Sequence, residues 1–290
     1  MQINEILSEV AALKKQRYAD YITVNGMRIR YAVIGDGPPV LMLHGFGGFL
    51  ETWAYNIPSL SRHYRLYAID LPGHGLSDKP QVDYTTSFAT DYAESLVQAF
   101  GMEKPSLIGH SMGGAIAISV ALGLPGMVDK LILVDSAGLS AQVPLAYRLS
   151  SRPLAGEILT RMVTRANLKR SLQSLFCNPE ALTEEMLDMA FTNAQRPGVK
   201  KALLSILRHS VNLAGPRPEA VLTARLPELK MPVLFIHGAQ DSLFPLKYVR
   251  EAFSLPPNSR VEIINHCGHC PHIEKPVEFN EAVTAFLESG

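Results

Sequence analysis

Cysteine is scarce in this chain, and surplus charge is missing altogether. Cys177, Cys267 and Cys270 are the only cysteines in 290 residues, too few for a disulfide framework and suited to a reducing compartment. Lys plus Arg and Asp plus Glu number 27 each, so no global field draws the chain to nucleic acid or an anionic membrane. No apolar run approaches the ~18–20 residues of a membrane span. Glu5 stands where a signal peptide would be basic, and no long apolar stretch follows it. Internal repeats and low-complexity tracts are missing too. Together these absences exclude secreted-scaffold and membrane-spanning classes and make a cytoplasmic protein the expectation. Apolar mass is what the chain has, with 47% hydrophobic and 19% charged residues, enough for a large core.

Patterning divides that mass. Residues 3–16 read as an amphipathic helix with Ile3, Ile6, Leu7, Val10 and Leu13 on one face. Asn25-Gly26 between two alternating runs predicts a hairpin with a type I′ turn. Short continuous apolar runs then alternate with helical stretches. They are Val40–Leu43, Leu66–Ile69, Leu107-Ile108, Leu131–Val134, Val233–Ile236 and Val261–Ile264. Without period-2 alternation they suit parallel strands covered on both faces, so the expected fold is α/β with a doubly wound, mostly parallel sheet. From about 137 to 225 the alternation stops. Helical stretches near 153–163, 167–177, 181–194 and 198–211 are punctuated by Pro179, Pro197 and Pro216. The expected organisation is a core domain of 1–136 and 226–290, with 137–225 inserted between two strands as an all-helical cap (lid). That insert has twelve Lys/Arg against six Asp/Glu, which leaves the rest of the chain at −6. Its basic surplus fits either a solvated helical surface or attraction of an anionic substrate.

The chemistry concentrates in Gly109-His110-Ser111-Met112-Gly113, which follows an apolar run and opens the small-residue stretch Gly114–Ser119. Strand, Gly-x-Ser-x-Gly, then helix is the setting of a nucleophile elbow, with glycines where strand and helix must pack closely. A reactive serine needs a base, an acid to orient it, and donors for an oxyanion. Asp241 follows Phe235–Gln240, and His269 follows the last strand, giving the chain order Ser…Asp…His. Asp135, which also ends an apolar run, is the alternative acid. His266 and His272 compete with His269, but only His269 stands in a Gly-His-x-Pro pattern. Cys267-Gly268-His269-Cys270 spells a dithiol motif and, with His272, imitates a metal cluster. It follows the last strand rather than opening a helix after an early one, so neither redox nor metal chemistry is expected.

With Leu43–Gly48, Asp70–Asp78, the elbow, His237–Asp241 and Gly268–Pro276 in this order, the chain resembles the α/β-hydrolase fold family, in its capped serine-esterase-like branch. The likeness covers about 20–136 and 226–290, whereas the cap matches only in position and helicity. It implies Ser111 as nucleophile, His269 as base and Asp241 as acid. It also implies an oxyanion hole from the backbone N–H groups of Phe46 (or Gly47) and Met112. His44, Gly45, His74 and His110 are implied as bracing residues, and Trp53 as a pocket or core aromatic. No cofactor and no metal are implied, and the partners are water and a small ester or related carbonyl compound. Serine at the elbow excludes the branches that place aspartate there. Carboxylic-ester hydrolysis is the leading expectation. Carbon–carbon hydrolysis of ring-fission dienoates is the alternative, although such relatives commonly have tryptophan where this chain has Cys270. A non-catalytic ligand-binding protein is a third.

Overall fold

Strand placement follows the apolar runs. In the computed structural model, which describes residues 1–15, 18–161 and 163–289, ten strands form. They are β1 (Ala19–Val24), β2 (Met27–Ile34), β3 (Pro39–Leu43), β4 (Arg65–Ile69), β5 (Ser106–His110), β6 (Leu131–Val134), β7 (Val211–Asn212), β8 (Gly215–Pro216), β9 (Val233–Gly238) and β10 (Ser259–Ile264). Eight of them make one sheet in the order β1-β2-β4-β3-β5-β6-β9-β10. β2 pairs antiparallel with both β1 and β4, and the other pairs are parallel. Asn25 and Gly26 both have positive φ (51° and 74°), as the hairpin turn requires. Every residue of β5, β6 and β9 is buried, which explains their unbroken apolar sequences. Successive side chains point to opposite faces: Leu41 and Leu43 join one core cluster, and Val40 and Met42 the other.

Helices cover both faces. They include α1 (Ile3–Lys15), α2 (Ile57–Leu60), α3 (Thr86–Ala99) and α4 (Met112–Gly123) early in the chain. On α1, Ile6 and Val10 are buried but Ile3 and Leu7 are exposed, so the apolar face is narrower than its periodicity predicts. Gln16 and the Leu13 side chain lie outside the described residues. Between β6 and β9 come α5 (Leu145–Ser150), α6 (Ala155–Arg161), α7 (Arg165–Gln173), α8 (Glu184–Ala194) and α9 (Val199–Ser210). The Thr164 and Thr183 hydroxyls cap α7 and α8, accepting from the N–H of Asn167 and Met186. α5 had no signal in the sequence, being only six residues long. The all-helical expectation is corrected by the β7–β8 ladder, which closes a turn at Leu213-Ala214. Met162, at the end of the expected 153–163 helix, lies outside the described residues. Three more helices end the chain: α10 (Leu246–Val249), α11 (Pro271–Glu274) and α12 (Pro276–Glu288). Among the described residues no helix is long and apolar enough to cross a membrane.

Candidate active site

Ser111 sits on the turn between β5 and α4 with φ +52° and ψ −118°. A serine held there costs on the order of 1–3 kcal/mol, which the surrounding packing must offset. The glycines make that packing possible. A Cβ on Gly109 would lie 2.4 Å from the Gly113 carbonyl, and one on Gly113 only 2.1 Å from the Leu43 carbonyl. The Ser111 N–H donates to Val134 O (2.9 Å), and its carbonyl accepts from Gly114 (2.9 Å) and Ala137 (3.0 Å). The turn is thus stitched to the end of β6. Met112 is the first residue of α4, where backbone N–H groups lack intrahelical acceptors.

Asp241 and His269 are already joined. His269 Nδ1 donates to Asp241 Oδ2 at 2.8 Å, which leaves Nε2 as the basic nitrogen. Asp241 Oδ1 accepts from the N–H of Leu243 (2.7 Å) and Phe244 (3.0 Å). Burial opposes the charge of Asp241, but His269 beside it and these donors outweigh that, holding its carboxyl well below the usual range. Asp135 is fully buried and accepts from the Gly238 N–H (3.1 Å). Burial and the neighbouring Asp241 push it well above the ordinary carboxylate range. His269 bonds Asp241 rather than Asp135. Ser111 and His269 open on the same cavity, yet no hydrogen bond joins their side chains. That half of the relay commonly tightens only around substrate.

Asp135, His237 and Asp241 place ligand atoms within 4.8 Å of one another, the one such cluster among the described residues. The His237 Nε2–H is spent on Phe244 O (3.0 Å) and Asp241 on His269, so the cluster reads as support for the base rather than a cation site. Cys267 and Cys270 are buried free thiols whose pKa values burial pushes up, which makes them inert.

The loop after β3 packs directly on Ser111, since a Cβ on Gly45 would lie 3.1 Å from Ser111 Cβ. His44 braces this loop, donating from Nδ1 to Gly45 O (2.8 Å) and accepting the Leu71 N–H at Nε2 (3.0 Å). His110 donates from Nε2 to the carbonyl of His269 (2.8 Å), tying the elbow to the base. His74 donates from Nδ1 to Pro72 O (3.1 Å). Burial lowers the pKa of His44 to about 4 and those of His74 and His110 to about 3, so all three are neutral braces. Trp53 is fully buried against His272 and Phe279 and belongs to the core, not to the cavity wall.

The cavity above Ser111 measures about 280 Å³ and mixes loops from the strand ends with cap residues. Phe88, Tyr147, Met186, Met189, Ile206 and Leu243 are among its walls, and no lysine or arginine among the described residues lines it. Cap cations are instead paired on the surface, as in Arg165–Glu184 (2.5 Å), Lys169–Glu184 (2.5 Å) and Arg208–Glu157 (2.7 Å). The basic surplus therefore takes the solvated-surface form.

A family model for the α/β-hydrolase fold matches residues 38–276. The chain belongs to the α/β-hydrolase fold family. Within it, the chain is 28% identical over 286 residues to an uncharacterized protein of Mycobacterium tuberculosis, covering 92% of this chain and 80% of that one. It is 29% identical over 271 residues to 2-hydroxy-6-oxo-6-(2'-aminophenyl)hexa-2,4-dienoic acid hydrolase of Metapseudomonas resinovorans (92% and 90%). Among solved structures, a serine hydrolase involved in carbazole degradation superposes with a TM-score of 0.80 at 27% identity (93% and 98%).

Two α/β-hydrolase residues carry more of the site than the sequence revealed. Asp70 accepts from Leu50 N (2.6 Å) and Leu76 N (2.7 Å), pinning the loop after β4 to the chain beyond the Gly45 loop. Glu274 accepts from Gly268 N (2.7 Å), Cys177 N (3.2 Å) and Asn178 N (2.5 Å), clamping the base loop to the cap. Both stand inside recognisable motifs, but a motif does not say which backbone groups a carboxylate will meet.

Proposed function

We propose that the protein is a serine hydrolase cleaving carboxylic esters of apolar, uncharged groups. Ser111 Oγ attacks the carbonyl carbon while His269 Nε2 takes its proton, and Asp241 stabilises the resulting imidazolium. The oxyanion is met by the N–H groups of Met112 and Phe46, at about 3–4 kcal/mol for each donor. Collapse expels the alcohol, which takes the proton from His269. Water, deprotonated by the same base, then releases the acid and frees Ser111. Residues 137–225 act as the lid that excludes bulk water, and the three free thiols support a reducing, cytoplasmic setting.

The apolar cavity without a described cationic wall residue carries the ester reading. A dienoate brings a carboxylate whose unpaired burial costs several kcal/mol. The named relatives nevertheless support carbon–carbon hydrolysis better than ester cleavage, and that is the second reading. An ester panel assayed beside a coloured ring-fission dienoate separates the two. The expected outcome is at least a ~100-fold higher kcat/KM on a medium-chain p-nitrophenyl ester, the equivalent of about 2.7 kcal/mol. The reverse preference would establish the second reading. Ser111→Ala is expected to abolish either activity with the fold intact. If the variant kept wild-type turnover, both readings would fall.

A further inference from the structure

The cap has a second apolar surface, facing outward. Leu145 and Leu149 lie one turn apart on α5, and Leu154 and Ile158 one turn apart at the start of α6; all four are exposed, Leu154 by 75%. Leu213, also exposed, sits beside them, its carbonyl accepting from Arg148 Nε at 2.7 Å. Leu154 has φ +68°, a conformation costly for a bulky residue. That cost presents an apolar side chain three-quarters exposed to solvent. The opposite side of α5 faces the cavity through Tyr147, whose ring meets Phe46 at 6.4 Å. One short helix thus separates an apolar cavity from an apolar exterior.

Charge selects the partner. Residues 137–225 have twelve Lys/Arg against six Asp/Glu. Arg165 and Lys169 are tied to Glu184 and Asp188, whereas Arg148 and Arg152, beside the exposed leucines, join no ion pair among the described residues. The zero net charge of the whole chain conceals this basic end. We propose that the α5–α6 face rests on an anionic lipid surface, from which the ester enters the cavity. Docking does not depend on the serine-hydrolase reading; the delivery of substrate does. Lys and Arg near an anionic bilayer are drawn to its surface, and exposed leucines insert at the headgroup boundary. A second copy placed face to face would oppose like charges, which disfavours self-association there.

The test is co-sedimentation of the full chain with phosphatidylcholine vesicles, with and without phosphatidylglycerol. Binding is expected to be at least about tenfold tighter to the anionic vesicles and to weaken with salt. Leu149→Asp combined with Leu154→Asp is expected to lower vesicle binding about tenfold or more, and with it hydrolysis of a vesicle-embedded ester. Turnover of a water-soluble short-chain ester should stay within about twofold, which also reports that the variant is folded. Ser111→Ala is expected to bind vesicles like wild type, so a failure of the hydrolase reading would leave the docking result standing. Equal binding to both vesicle types, no binding, or undiminished binding by the double variant would overturn the proposal. So would a dimer in sedimentation velocity that the same substitutions dissolve.

Discussion

The strand-end loops and the cap helices meet over the same cavity but are held by opposite means. In the core, the Ser111 N–H donates to Val134, the Asp241 carboxylate accepts from the N–H groups of Leu243 and Phe244, and the His269 peptide is bonded to Leu175 and His110. The cap is fastened firmly near the end of α7, where Glu274 receives Cys177 and Asn178 and Ser242 donates to Ser174 O (2.9 Å). On α5 and α6 it turns leucines to solvent. Bonds of the first kind position atoms for proton transfer, whereas loose apolar walls accept many shapes. The difference supports a proposal that gives the chemistry to the core and substrate choice to the cap.

The sharpest way to break that contrast is inside the core. Asp241→Asn is expected to lower kcat by ~10³–10⁴-fold, because the amide can no longer hold the donor tautomer of His269. Asp135→Asn, whose carboxyl is pushed up by burial and by Asp241 and does not bond His269, should lose less than about tenfold. Measured kcat values in the opposite order would transfer the acid role to Asp135. Acid titration probes the core as well. His44, His74 and His110 would protonate from about 6.5 in the unfolded chain but only near 3 to 4 when buried. Their contribution is complete above pH 6.5 and falls as pH drops toward 3, by up to about 1.4 kcal/mol per pH unit for each. Denaturant melts between pH 7 and 4 should show this slope, and its absence would mean these rings protonate in place. A smaller effect than at Asp241 is expected at the clamp. Glu274→Ala should cost about tenfold in kcat/KM and speed proteolysis within 165–180, with the core melting nearly unchanged.

Much of this was legible before any coordinates. The elbow turn and the positions of the main strands follow from glycine spacing and apolar runs, since close backbone approach and two-sided burial permit few other residues. The structure also joins Asp241 to His269, which the sequence had placed on separate strand-end loops. Trp53 reads from the sequence as a core aromatic in preference to a cavity wall, and its full burial in the core agrees. α5 and the β7–β8 ladder escaped because segments of six and two residues give no periodicity. The fate of the cap's basic residues was equally hidden. Whether Arg165 faces substrate or Glu184 depends on helix packing that composition does not encode.

The peptide of His269 is bonded on both sides. Its N–H goes to Leu175 in the cap (2.6 Å) and its carbonyl to His110 in the core (2.8 Å). Lifting the α7 side of the cap would strand a buried amide at the base itself, a loss of about 1–3 kcal/mol before any substrate moved. That edge is a fixed jamb. If residues 137–225 serve as the proposed lid, its opening would fall to the opposite edge, where Tyr147 meets Phe46 beneath α5.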